Sequence, residues 1–162
     1  MTAPEPRSPF THLDVAGRAQ MVDVSQKPVT TREACAEGFV RCAPDVVRAL
    51  RGAGVPKGDA LAVARLAGIQ AAKRTPDLVP LAHPVAVHGV RVELEVEDDG
   101  VRVRSWVRTA DRTGVEMEAL TCVAVAALAL VDMVKALDRH TEITGVRVTA
   151  KSGGRSGDWR AD

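Results

Sequence analysis

With 162 residues, of which 46% are hydrophobic and 27% charged, the chain is long enough to bury one core and too short for two independent ones. Its 22 basic and 21 acidic residues leave a net charge of +1, so no overall field draws it onto nucleic acid or a membrane surface, and any basic site must be local. Phe10, Phe39, Trp106 and Trp159 are the whole aromatic set, which denies single-stranded nucleic acid the platforms its bases stack on.

In chain order, residues 1–10 (MTAPEPRSPF) lack the apolar core of a secretory signal, and their prolines mark a flexible tail ahead of a single domain over residues 11–162. Residues 28–41 are ambiguous, because REACAEGF has helical propensity while Val29, Thr30, Thr31, Phe39 and Val40 favour a strand. A short helix is expected over 44–51. A longer one follows over 58–74, capped by Asp59 and stopped before Pro76, with Gly68 in its middle marking close backbone approach. Pro76, Pro80 and Pro84 then hold an irregular segment that carries His83.

Over 86–96, Val90, Val92, Leu94 and Val96 alternate with Arg91, Glu93 and Glu95. Asp98, Asp99 and Gly100 supply a turn, and Val101, Val103 and Val107 resume the alternation, which reads as a hairpin. Leu120, Val123, Ala127, Leu130, Val134 and Leu137 recur at helical steps, predicting a helix over 114–138 that opens on a Thr113–Glu116 capping box. Its uncharged stretch, 119–131, is shorter than the span of about 20 residues that a membrane demands, so a soluble protein is expected. A last strand is expected near 143–150, with Val146, Val148 and Ala150 on one face. Its sheet neighbour is not readable. If 28–41 is a strand, the order becomes the split βαβ pattern of ferredoxin-like folds.

Cys35, Cys42 and Cys122 are odd in number and lack a Cys-x-x-Cys pair, which points to reduced cytosolic thiols rather than disulfides or a zinc knuckle. The histidines at 12, 83, 88 and 140 show no ligand spacing, so no structural metal is expected. Three features could carry chemistry, each with a plainer account beside it. Asp132 and Lys135 sit beside the apolar face of the long helix, and a solvated pair three residues apart would explain them. Lys57 and Lys73 bracket the helix over 58–74, where solubility or the helix dipole would suffice. Lys151 and Arg155 lie in AKSGGRSGDW, whose glycines let backbone N–H groups approach phosphate, although a flexible tail over 150–162 is the simpler reading. Glu118 and Asp132 are fourteen positions apart on one helix, about 21 Å at 1.5 Å per residue, so one pocket cannot easily take both from one chain. An isologous dimer could bring them together.

Taken together, MVDVS at 21–25, KGDALAVARLAGIQAAKRTPDLVPLAHP at 57–84, TGVEMEALTCVAVAALALVDMVKAL at 113–137 and AKSGGRSGDW at 150–159 resemble the cyclic pyranopterin monophosphate synthase family, molybdenum-cofactor biosynthesis protein C. The resemblance covers nearly everything after Phe10. It implies an α+β, ferredoxin-like subunit with an antiparallel sheet and helices packed on one face, which makes 28–41 a strand. It also implies a cytoplasmic homo-hexamer, a trimer of dimers with sites at the dimer interfaces. The implied reaction converts 3′,8-cyclo-7,8-dihydroguanosine triphosphate to cyclic pyranopterin monophosphate and diphosphate, with no redox cofactor and at most a magnesium ion loosely held on the phosphates.

Carried over by position, the resemblance makes Asp132 and Lys135 catalytic, with Lys57 a second proton donor. Lys73 and Lys151 become functional lysines, and Leu81, Ala82, His83, Met117 and Glu118 substrate contacts. Glu116 and Arg32 fall near the site. Where the family commonly has Cys before the histidine, this chain has Ala82, so no thiol is essential there. Asp132 and Lys135 suit general acid and base work if their surroundings move their pKa values toward neutrality. A non-catalytic nucleotide sensor of the same fold is the alternative. An RNA-binding module is a third reading, weakened by the lack of sheet aromatics.

Overall fold

The computed structural model describes residues 12–14, 16–154 and 157–162, so the tail expected over 1–10 and Arg155 lie outside the described residues. The elements are β1 (Thr30–Arg41), α1 (Pro44–Arg48), which runs on into a wider π-type turn over Ala49–Ala53, α2 (Ala60–Ala72), a single-turn α3 (Thr75–Leu78), β2 (Val87–Glu97), β3 (Gly100–Asp111), α4 (Glu116–Val134), β4 (Glu142–Ser152) and β5 (Trp159–Arg160). The sheet order is β2-β3-β1-β4-β5 with every pair antiparallel, which is the split βαβ arrangement with one short strand added at the edge.

The ambiguous segment is strand β1, and it is the centre of the sheet. Its helical propensity yields to pairing on both sides, with β3 and with β4. Ala34, Ala36 and Val40 turn inward from it, and Val101, Val103 and Val107 do so from β3. α4 lies on that inner face, where the buried Ser105 hydroxyl donates to Ala119 O at 2.9 Å. Residues of α1, α2 and α4 form one continuous core with these strands, so the helices share one face. The other face carries ion pairs such as Arg102–Glu97 at 2.6 Å and Arg147–Glu37 at 2.9 Å.

α2 packs antiparallel on α4. A Cβ at Gly68 would stand 2.9 Å from Cys122 O and 3.1 Å from Ala126 Cβ, so the close approach expected at this glycine is real. Asp59 caps α2 by accepting from Ala62 N–H at 2.9 Å. At 19 residues α4 is long and apolar enough by length and composition to cross a membrane, contrary to the shorter stretch read from sequence, but half of it is buried against this core.

The capping box is not formed. Val115 is the N-cap of α4, with no side-chain hydrogen bond, because its fully buried side chain sets the chain's entry and leaves Thr113 too far back. Glu116 turns instead to Lys151, at 3.1 Å. The expected alternation of β4 also fails. Ala36 pairs with Val148 but Ala34 with Lys151, so a bulge beside Cys35 and Ala36 puts Val148 and Lys151 on the helix side and leaves Ala150 opposite Cys35. Nor is the stretch after 150 simply a loose tail among its described residues. Lys151 and Ser152 complete β4, and Trp159 and Arg160 pair back onto it. Gly153, at φ 83°, lies against the β1 backbone, where a Cβ would come within 2.3 Å of Thr31 O.

Candidate active site

The residues singled out from sequence gather at the two ends of the α2–α4 pair. At one end, Lys57 in the loop before α2 reaches the last turn of α4. Its Nζ donates to Asp132 O at 2.8 Å and to Asp132 Oδ2 at 3.1 Å, while Lys135 Nζ stands 2.6 Å from Oδ1. The Asp132 carboxylate is 56% exposed, and hydrogen bonds from Lys135 and then Lys57 hold its pKa below the ordinary aspartate value. The condition set for acid and base work, surroundings that move the pKa toward neutrality, is therefore not met at Asp132. It is an anion held between two ammonium groups.

At the other end a cleft of about 340 Å³ opens between the start of α4, the loop before β2 and the segment that precedes β1. Leu81, Ala82, His83, Glu116, Met117 and Glu118 all line it. Glu118 is 3% exposed and has no partner side chain among the described residues. Burial, with the nearby Glu116 charge, raises its pKa to about 7. A carboxyl poised at neutrality in a cleft is a marker of function. His83 Nε2–H donates to Val22 O at 2.6 Å; a carbonyl only accepts, so this bond fixes the ring proton on Nε2.

Lys151 borders this end through Glu116, a position it owes to the bulge in β4. Lys73 is the exposed C-cap of α2, and the antiparallel run of α2 along α4 sets it at the Glu118 end. Arg32 does not line the cleft. Its Nε donates to Asp111 O at 3.0 Å, and its guanidinium packs against Gly154. Lys57, Asp132 and Lys135 are not brought to the cleft within one chain. Among the described residues no group of three or more His, Cys, Asp or Glu side chains could hold a metal ion.

A family model described as the MoaC family matches residues 21–154, a span that contains both clusters. The chain belongs to the MoaC family. It is 66% identical over 151 residues to a cyclic pyranopterin monophosphate synthase of Streptomyces griseus subsp. griseus, covering 93% of this chain and 85% of that one. A protein of the same name from Streptomyces coelicolor is 63% identical over 96% of this chain and 91% of its own. One from Roseiflexus is 54% identical over 96% and 99%. The chain is accordingly an enzyme, a lyase of molybdenum-cofactor biosynthesis.

In this MoaC-family chain, Ala82 presents only a methyl group to the cleft beside His83. The sequence reading missed Lys27, Val22, Val24, His12, Thr113 and Gly114, which also line the cleft. The motif MVDVS ends two residues before Lys27, and the irregular segment it begins was the available signal. Periodicity is silent there, since residues 20–29 form neither helix nor strand.

Proposed function

We propose that the protein converts 3′,8-cyclo-7,8-dihydroguanosine triphosphate to cyclic pyranopterin monophosphate and diphosphate, at sites built jointly by two protomers. The observation that carries this reading is the separation of its chemistry. The proton-donating lysines and the neutral-poised Glu118 occupy opposite ends of one rigid helix, so a complete site needs the Asp132 end of one chain against the Glu118 end of another. A cytoplasmic hexamer, a trimer of such dimers, is the assembly that goes with it. The names of the relatives support the reaction.

The rearrangement opens the purine-derived ring, builds a pyrazine ring and closes a cyclic phosphate. It is redox neutral, so no electron carrier is required, and magnesium is an optional companion of the phosphates. Lys57 and Lys135, oriented by Asp132, move protons at the rearranging ring, a contribution of about 100- to 10,000-fold. His83 and Glu118 hold the base edge and sugar. Lys73, Lys151 and the glycine-rich stretch that follows it meet the charge that develops as diphosphate leaves.

Incubating the purified protein with the cyclic triphosphate should yield an oxidisable, fluorescent pterin together with diphosphate. Appearance of neither product from the folded, assembled protein sinks the assignment of this substrate and reaction.

A further inference from the structure

We propose that Asp158 is a positioning residue for the lyase site, fixing the end of β4 so that Lys151 keeps its place beside the cleft. The inference deepens the lyase reading and rests on it for the role of Lys151 toward diphosphate. Asp158 Oδ1 accepts from Gly153 N–H at 3.0 Å, two residues beyond Lys151. The next residue, Trp159, is the strand partner of Lys151, Arg160 pairs with Ala150, and Ala161 N–H donates to Thr149 O at 2.8 Å. Asp158 therefore joins the point where β4 ends to the point where β5 begins.

The end of β4 needs such a lock. Its pairing with β1 shifts register twice, between Cys35 and Ala36 and between Glu37 and Phe39, so the ladder alone does not dictate which face a residue takes. A slip of one residue would carry Lys151 to the outer face and away from Glu116, its partner at 3.1 Å. Gly153 is held from the other side as well, because its φ of 83° turns the chain against the β1 backbone at Thr31. Asp158 itself is exposed and is not a lining residue of the cleft at the start of α4. It lines a separate hollow with Glu33 and Cys35, which alternate with the inward-facing Ala34 and Ala36 and so stand on the face away from the helices. Its charge is thereby kept from the incoming phosphates, and it acts through Lys151.

The test is a double-mutant cycle of Asp158→Ala with Lys151→Ala in the assembled protein, read in inorganic diphosphate affinity by calorimetry and in kcat/KM for the cyclic triphosphate. Asp158→Ala should weaken both by about five- to tenfold with a melting temperature near wild type, and Asp158→Asn, which keeps an acceptor for Gly153 N–H, should recover most of the loss. In the Lys151→Ala background the same Asp158→Ala change should alter either quantity by less than about twofold. An unimpaired Asp158→Ala protein, or the same fold loss in both backgrounds, overturns the assignment, since a merely structural role would add to the loss of Lys151. An Asp158→Asn protein as impaired as Asp158→Ala, or a Lys151→Ala protein that binds diphosphate normally, overturns it too. If the two substitutions couple in diphosphate affinity but the wild type makes no pterin, the positioning role stands and the lyase reading falls.

Discussion

Glu118 and Asp132 are carboxylates of one helix driven in opposite directions. Glu118, in the first turn of α4, is buried and titrates near 7, whereas Asp132, in the last, is exposed and held below its ordinary value by two lysines. Fourteen residues, or about 21 Å of helix, lie between them. The same side-chain chemistry is thus used once as a group that can gain or lose a proton at neutral pH and once as a permanent charge.

Replacing Asp132 by Asn removes that charge from between Lys57 and Lys135. Because the carboxylate is exposed, the variant should fold with a melting temperature close to wild type while turnover of the cyclic triphosphate drops by about 100-fold or more. Diphosphate release is the measurement. Near-normal turnover in a folded Asp132→Asn protein would remove Asp132 from the reaction.

Mixing inactive Asp132→Asn and Glu118→Gln proteins tests whether sites are shared. A mixed dimer contains one site with both substitutions and one with neither, so random exchange should restore about a quarter of wild-type activity. Recovery of none, with subunit exchange demonstrated, would count against a two-chain site.

Glu118 also makes stability depend on pH with a defined sign. Its pKa rises from the ordinary 4.5 to about 7 on folding, so the folded chain holds more protons than the unfolded one across that window. Its contribution is therefore most favourable below pH 4.5 and declines as pH rises to about 7, by up to about 3 kcal/mol. Denaturant midpoints at pH 5 and pH 8 should show the decline in wild type and its loss in Glu118→Gln. An equal slope in both proteins would show that Glu118 titrates normally. A cation brought beside the carboxyl by a partner protomer would shrink the slope, so comparing dilute with assembled protein also reports on the interface.

Gly68→Ala should push α2 from α4, because the added carbon meets a backbone oxygen at 2.9 Å that cannot swing aside. A net loss of about 1–3 kcal/mol is expected even though Ala is the better helix former. Since Lys57 reaches Asp132 only while α2 holds its loop against α4, activity should fall as well. A melting temperature at or above that of wild type would show that the helices adapt.

The helices and the hairpin were legible because each buries one face and repeats with its own period, as Val90 to Val96 and Leu120 to Val134 do. β1 was not legible from propensity, since its pairing partners lie about 60 residues or more downstream in β3 and β4. The cleft residues Leu81, Ala82 and Met117 were reached through long motifs alone, whereas Glu118 already stood out by its fourteen-residue spacing from Asp132 and His83 by its proline-held segment. Lys27 was missed because it sits where the chain has no period to break, and the Glu116–Lys151 pair because it depends on a bulge that shifts β4 by one residue.

The sheet order also dictates how the chain must come together during synthesis. β1 is made first, yet its neighbours are β3 and β4, and β4 follows it by about a hundred residues. Until β4 leaves the ribosome, the central strand has an open edge of unpaired peptide groups, the kind of template on which other chains can add. Folding of this protein is therefore governed by long-range closure, and its most vulnerable interval is the time between the appearance of β3 and that of β4.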